Sequence, residues 1–404
     1  MSTKIVVTGM GAVTPIGCGV EEYWAHLTEG ACGVDRITQF DAGDLAVRIA
    51  AEVKDFNIAA YMPKKVIHQT DAFTQYAYVA AAEALGETLP AESERMGIVM
   101  GTAMAGVATT AATQEILTNA VHKNVGPSFV PRILANIAAA QIAIAYQICG
   151  PSVTLSTACA SGDDAIAAAA MLLLAGEADA VLAVGAESIL CPLVLYSLAN
   201  AHTLSRANDD PLHACRPFDR NRNGFVIGEG GGALVLETEE HARKRGAVIY
   251  AELAGWANNN DAYHVMRPAP EGINSARCMK KAMSRAGVLP SQVDYINAHG
   301  TGTKNADSAE AAALRHVFGE ERPAVSSTKG ATGHMMGAGG ITESIACIQA
   351  IRCGILPLSL NLEEPEESLN FVMGQSRAQR IDVAMTNAFG FGGQNSSLVF
   401  RRYE

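Results

Sequence analysis

The sequence predicts an α/β protein whose sheets are covered by helices on both faces. Three observations carry this. Apolar runs alternate with helical stretches from end to end. Several of the runs are apolar throughout, as strands buried on both faces are. The alternation occurs before and after residue 250 with no low-complexity linker between, so two halves of similar texture are expected to pack as one body.

Residues 5–7 (IVV) read as the first strand and 73–84 as a helix. Residues 96–100 form a short buried strand, and the alanine-rich stretch 133–146 a helix. Strand 153–156 feeds a turn of small residues, followed by the nearly all-apolar helix 165–175 and the strand 180–186. In the second half, 273–287 reads as a helix ended by Gly287. Residues 293–298 and 324–327 read as strands, 341–352 as a helix, and 382–388 with 398–402 as a final hairpin.

Composition narrows the function classes. The 404 residues are 49% hydrophobic, enough for a large core. Thirty basic against 41 acidic residues give a net charge of −11, which argues against general nucleic-acid binding but leaves room for a local basic patch. Nine cysteines at wide spacing, with no CxxC, argue against a disulfide framework or a structural zinc site. They suit free thiols in a reducing cytoplasm. The first 11 residues lack the apolar core and cleavage site of a signal peptide. No apolar run reaches the 18 residues of a membrane span; the longest, 165–175, reads as a buried helix.

Four motifs carry candidate chemistry. In STACASG (156–162), Cys159 stands at a strand-to-helix turn. A sulfur there is reachable, and helix-end N–H groups would lower its pKa. In NAHGTGT (297–303), His299 follows a strand, and Thr301 and Thr303 offer hydroxyls to a polar substrate arm. SSTKGATGH (326–334) brings Lys329 and His334 into another Gly-rich turn, which is not a phosphate-binding P-loop. NAFGFGG (387–393) is either a hairpin corner or a gate beside a pocket, with Gly390 and Phe391 at its centre. One cysteine and two histidines, each after a strand, form a constellation for acyl transfer.

These motifs, with VVTGMGAVTPIG (6–17), RPFDRNRNGFVIGEG (216–230) and DAYH (261–264) in the same order, resemble the β-ketoacyl-acyl carrier protein synthases, closest to their type II branch, over essentially the whole chain. The resemblance implies the thiolase-like fold. Two similar βαβαβ halves, 1–250 with the nucleophile and 251–404 with the His pair and the Phe gate, would build a layered α-β-α-β-α architecture. It also implies an acyltransferase of fatty-acid elongation that acts as a homodimer, or in a heterodimer with a homologous chain. No resident cofactor or metal is implied, because substrates ride on the phosphopantetheine arm of an acyl carrier protein.

Residue by residue, Cys159 matches the acyl-accepting nucleophile, and the N–H groups of Cys159 and Phe391 match the oxyanion hole. His299 and His334 match the neutral pair that donates to the malonyl thioester oxygen. Lys329 matches the lysine that orients this cluster, with Glu310 as its expected partner. Thr301 and Thr303 match pantetheine contacts, Phe391 with Gly390 the gate, and Met104 an acyl-pocket position.

Some residues depart from the family pattern. Asp163 and Asp164 follow the nucleophile where many fatty-acid members are neutral, and Lys304 stands where they place proline. Both features resemble type II polyketide synthases. Met266 and Arg267 replace small hydroxyl residues. His68 and Gln69 replace a basic pair for carrier docking, with Lys64 and Lys65 just before them. The alternatives are therefore the ketosynthase of a type II polyketide or polyene pathway and, more remotely, a non-catalytic chain-length partner, in which the nucleophilic cysteine is replaced. A thiolase would need a second catalytic cysteine. A dinucleotide-binding fold would need a third glycine where Thr14 stands.

Overall fold

The computed structural model describes residues 3–119, 125–319 and 323–404. Met1 and Ser2, at the head of the stretch read for a signal peptide, lie outside them. The principal strands of the first half are β1 (Ile5–Thr14), β2 (Met96–Gly101), β3 (Ser152–Leu155), β4 (Ala180–Glu187) and β5 (Gly230–Thr238). Those of the second are β6 (Ala251–Asn260), β7 (Tyr295–Asn297), β8 (Ala324–Ser326), β9 (Val383–Gly390) and β10 (Gln394–Arg401).

The strand order is β3-β2-β4-β5-β1 in the first half and β8-β7-β9-β10-β6 in the second. The two orders are the same once five is subtracted from each label. Directions repeat too: β2 runs parallel to β3 and β4, as β7 does to β8 and β9, and the last two pairs of each half are antiparallel. The halves are thus one topology used twice. They join edge to edge, because residues 5–7 of β1 pair with residues 251–253 of β6.

The helices complete five layers. Helices α1 (Ala72–Leu85) and α2 (Ile137–Tyr146) cover the outer face of the first sheet. Helix α3 (Ser161–Leu174) packs in the middle with the later helix α6 (Gly339–Cys353), and both touch strands of the two sheets. Helix α4 (Ile273–Ala286) covers the second sheet from outside, and α5 (Lys304–Phe318) packs against α4. A helix enclosed by two sheets has no solvent face. Residues 339–351 of α6 are all buried, which explains why its apolar residues occur on every face and not along one stripe.

One local expectation changes. The stretch 133–146 is two helices, Phe129–Ile133 and Ile137–Tyr146, with extended backbone at Leu134 between them. Gly9 and Gly11 do not cradle a phosphate. A Cβ on either would lie within 2.1 Å of a carbonyl of α1, so these glycines let strand and helix backbones touch. No described helix is long and apolar enough to cross a membrane.

Candidate active site

The centre of the site is the turn between β3 and α3. Residues 158–160 form a single 3₁₀ turn that Ala158 enters at φ +53°, a conformation uncommon for a side-chain-bearing residue. Ser161 stabilises it, donating through Oγ to Ala158 O at 2.7 Å and accepting from Thr157 N at 2.9 Å. The turn aims the Cys159 sulfur into the interior. The second half repeats the device before α6, where residues 336–338 form a 3₁₀ turn entered by Met336 at φ +47°. Its Sδ lies 3.9 Å from Cys159 Sγ.

Strand ends of the second sheet bring the histidines to this sulfur. His334 Nε2 is 3.0 Å from Cys159 Sγ. His299 crosses His334 edge to face, with ring centroids 5.3 Å apart. Phe225, from the 216–230 motif, and Phe389 wall the two rings at 5.4 and 6.0 Å. At least 35 residues separate any two of these in sequence; the repeated topology converges them.

Two carboxylates of α5 hold the His299 loop from below. Glu310 accepts from the N–H groups of His299 and Gly300, both at 2.8 Å. Asp307, one helical turn earlier, accepts from Thr301 N, Gly302 N and Phe218 N. Glu310 is therefore a backbone clamp and not the partner of Lys329. Lys329 donates instead to Glu343 on α6, both buried. The correction has a physical reason: Glu310 spends both oxygens on the loop, while Glu343 is a lone acid in the apolar middle helix and must be neutralised there.

Charges follow from this packing. Burial drives both imidazoles well below their ordinary pKa, and the Lys329 ammonium pushes them the same way. They are neutral donors or acceptors, as the sequence suggested. Cys159 departs from expectation: burial lifts its thiol to about 11, outweighing the Lys329 charge and the Phe391 and Cys159 N–H groups that favour the thiolate. Helix-end N–H groups do face the sulfur, but full burial wins. The two aspartates after the nucleophile are also buried. Burial, with Glu343 and Asp164 nearby, pushes the Asp163 carboxyl well up, which weakens its opposition to the thiolate. Asp164 accepts from Asn258 Nδ2 at 3.2 Å.

The cluster opens into a cleft of about 970 Å³ lined by Thr301, Thr303, Phe391 and Gly390. Thr301 and Thr303 hydroxyls lie 3.1 Å apart. The NAFGFGG motif is the corner between β9 and β10, beside the cleft. A Cβ on Gly390 would approach Cys159 N and Thr157 O to 3.0 Å, which a glycine avoids. Gly392 N donates to Val265 O at 2.7 Å, tying the corner to the 261–268 loop. Met104 does not line this cleft; it is 46% exposed on the face of the chain beyond β2. It is neither a wall of the cleft around Cys159 nor a core residue.

The Cys159, His299 and His334 ligand atoms all lie within 4.8 Å of one another, the metal-like spacing found among the described residues. Nδ1 of each histidine has no protein partner, whereas a metal-binding imidazole ordinarily donates from its other nitrogen. Lys329 adds a cation beside them. This donor set suits proton transfer better than a metal.

Glu343 and Asp307 are the functional supports that sequence reading did not assign. A lone acid inside the apolar stretch 341–352, and an acid three residues before Glu310 on one helix face, were the available signals.

Comparison with known proteins agrees with this geometry. Residues 2–242 match the β-ketoacyl synthase N-terminal domain, and residues 250–363 match its C-terminal domain. A 3-oxoacyl-[acyl-carrier-protein] synthase 2 of Coxiella burnetii is 41% identical over 99% of this chain and 98% of its own. A β-ketoacyl synthase structure from Burkholderia phymatum covers 100% of both chains at 34% identity, with a TM-score of 0.92. A ketosynthase bound to a hexaketide, solved with the acyl-carrier protein of a type II polyketide system, covers 100% of both chains at 31% identity, with a TM-score of 0.89. With both domains matched in order and the thiolase-like architecture intact, the chain belongs to the β-ketoacyl synthase family.

Proposed function

We propose that the protein is a 3-oxoacyl-acyl carrier protein synthase of fatty-acid elongation. The observation that carries this reading is the Cys159–His334–His299 cluster, with a protonated thiol 3.0 Å from a neutral imidazole at the floor of a deep cleft.

In the first half-reaction, Cys159 attacks the thioester of an acyl carrier. Its proton passes to His334, and the oxyanion forms against the N–H groups of Cys159 and Phe391. The carrier thiol departs with a proton, leaving an acyl-cysteine. In the second, malonyl carrier enters and His299 and His334 donate to its thioester oxygen. The C–C bond to the carboxylate breaks, carbon dioxide leaves, and the electron pair is held as an enolate. The enolate carbon attacks the acyl-cysteine carbonyl, and the Cys159 sulfur leaves to give the 3-oxoacyl carrier. Phe391 gates the two halves, and Thr301 and Thr303 hold the pantetheine arm. No resident cofactor is required.

The partner is an acyl carrier protein. An acidic chain meeting an acidic carrier needs local cations. Arg220, Arg267 and Lys304 stand at the cleft mouth, and Lys64 and Lys65 are exposed on a short helix. We read the enzyme as a homodimer built on the free edge of β3, where Val153, Ile144 and Met171 are exposed. Nine unpaired cysteines fit a cytoplasmic location.

Type II polyketide assembly is the second reading, favoured by the buried Asp164 held by Asn258 and by Lys304 at the start of α5. One experiment separates them. The protein is mixed with a panel of acyl carriers, its intact mass recorded, and malonyl carrier added. An adduct on Cys159 chased into saturated or mono-unsaturated products two carbons longer supports elongation. Acylation only by short or polyunsaturated chains, or only with a second homologous chain present, supports polyketide or polyene assembly. No adduct with competent carriers overturns both.

A further inference from the structure

Glu187 is a buried carboxylate that the condensation chemistry does not use. It ends β4 and takes four donors: Ala103 N at 2.6 Å, Met104 N at 3.1 Å, Thr102 Oγ1 at 3.0 Å and Gly337 N at 3.2 Å. These come from two separate segments, the loop after β2 and the turn before α6.

Both segments reach the nucleophile. Ala103 packs on the apolar cluster that contains Cys159, and its carbonyl accepts from Ser156 Oγ in the nucleophile turn at 3.3 Å. Met336, immediately before Gly337, is held at positive φ with its sulfur against that of Cys159. Backbone strain of this kind persists only where the surroundings fix it. Glu187 supplies that fixing. A Cβ on Gly337 would come within 2.8 Å of Glu187 Oε2 and 2.9 Å of Ala103 N, so the three backbones fit around the carboxylate with no slack. A buried carboxylate is costly, and burial raises its pKa even against these donors. An amide could not replace it, because its NH₂ would face backbone N–H groups.

We propose that Glu187 is a positioning residue for acyl transfer: it locks residues 102–104 and the Met336–Gly337 turn into one unit that fixes the Cys159 sulfur. The proposal rests on the reading of Cys159 as nucleophile, so acylation of the wild-type enzyme is the first control. If wild type takes no acyl group, that reading fails; the tests below concern Glu187 alone.

Glu187→Gln is expected to lower kcat for condensation at least about tenfold, with KM for malonyl carrier changing by no more than about twofold, because misplacement acts on the transition state. The pH profile of Cys159 alkylation by iodoacetamide should shift, since the nucleophile's surroundings change. Gly337→Ala, which crowds the same carboxylate, should reproduce both effects, and the double variant should be no worse than the poorer single one. Wild-type kcat and an unshifted alkylation profile in folded Glu187→Gln would overturn the proposal. So would a rate loss accounted for by the fraction unfolded in a thermal melt. If Glu187→Gln does not fold, Gly337→Ala decides alone: normal transfer and alkylation there also overturn it.

Discussion

His334 holds its Nε2 3.0 Å from the Cys159 sulfur, and neither group carries a charge in the resting site. The pair is a thiol beside an imidazole, not a preformed thiolate–imidazolium pair, because burial disfavours both charged forms. Alkylation of Cys159 by iodoacetamide should therefore speed up with pH past 9 and toward its midpoint at about 11. A plateau near neutral pH would mean a resting thiolate. Cys159→Ser should abolish condensation, read as the absence of any 3-oxoacyl product by mass spectrometry.

Of the two imidazoles it is His334 that contacts the Cys159 sulfur, and His299 is read as the second donor to the malonyl oxygen. His299→Ala should lose about 10²-fold or more of malonyl decarboxylation while Cys159 still accepts an acyl group. Carbon dioxide release and intact mass read the two steps separately. Retained decarboxylation would remove the role assigned to His299.

The same imidazoles set a pH expectation. Their pKa values lie well below 6.5, so the neutral form is complete at pH 6.5 and is lost only at lower pH. Decarboxylation should stay level from about pH 8 down to about pH 6. An acidic limb centred near 6.5 would place a charged imidazole in the working site. In Lys329→Met, loss of the neighbouring cation should move the limb upward.

Much of this was legible before the structure. The alternation of strands and helices located β1, β2, β4 and the β9–β10 hairpin, because buried strands and enclosed helices leave continuous apolar runs. Cys159, His299 and His334 were readable because each follows a strand in a run of small residues. Partners across the core were not. Glu310 and Glu343 both lie on helices near the lysine in sequence, and only the packing of α6 in the middle layer decides between them. That Met104 lies outside the cleft around Cys159 was hidden for the same reason: an apolar residue after a strand carries no mark of which way the loop turns. The thiol pKa was misjudged because local N–H groups can be read from sequence, whereas complete burial belongs to the assembled fold.

The pairing of Lys329 with Glu343 is testable. Glu343→Ala leaves the Lys329 ammonium buried without its partner, which should cost about 3–5 kcal/mol of stability. Thermal melts should show a large fall that Glu343→Asp partly restores. Glu310→Gln acts differently, since it weakens the clamp on His299 N and Gly300 N while Lys329 keeps Glu343. It should lower decarboxylation more than it lowers the melting temperature. Equal melting losses in the two variants would return Glu310 to the role of lysine partner.

Carrier docking should depend on the cations at the cleft mouth. Neither Arg267 nor Lys304 is held in an ion pair among the described residues, whereas neighbouring Arg220 and Arg222 are bound to Glu364 and Glu366. An unpaired cation at the rim of a net acidic chain is free to meet an acidic carrier, and contacts of this kind act on encounter more than on chemistry. Arg267→Glu and Lys304→Glu should thus each raise KM for the carrier several-fold while leaving kcat within about twofold. The wild-type kcat/KM should fall as salt is added, and the double variant should lose most of that dependence, because screening has less attraction left to remove. A variant pair with wild-type KM and salt response, set against a Lys64→Glu, Lys65→Glu pair that raises KM, would move the docking surface to the short helix before α1.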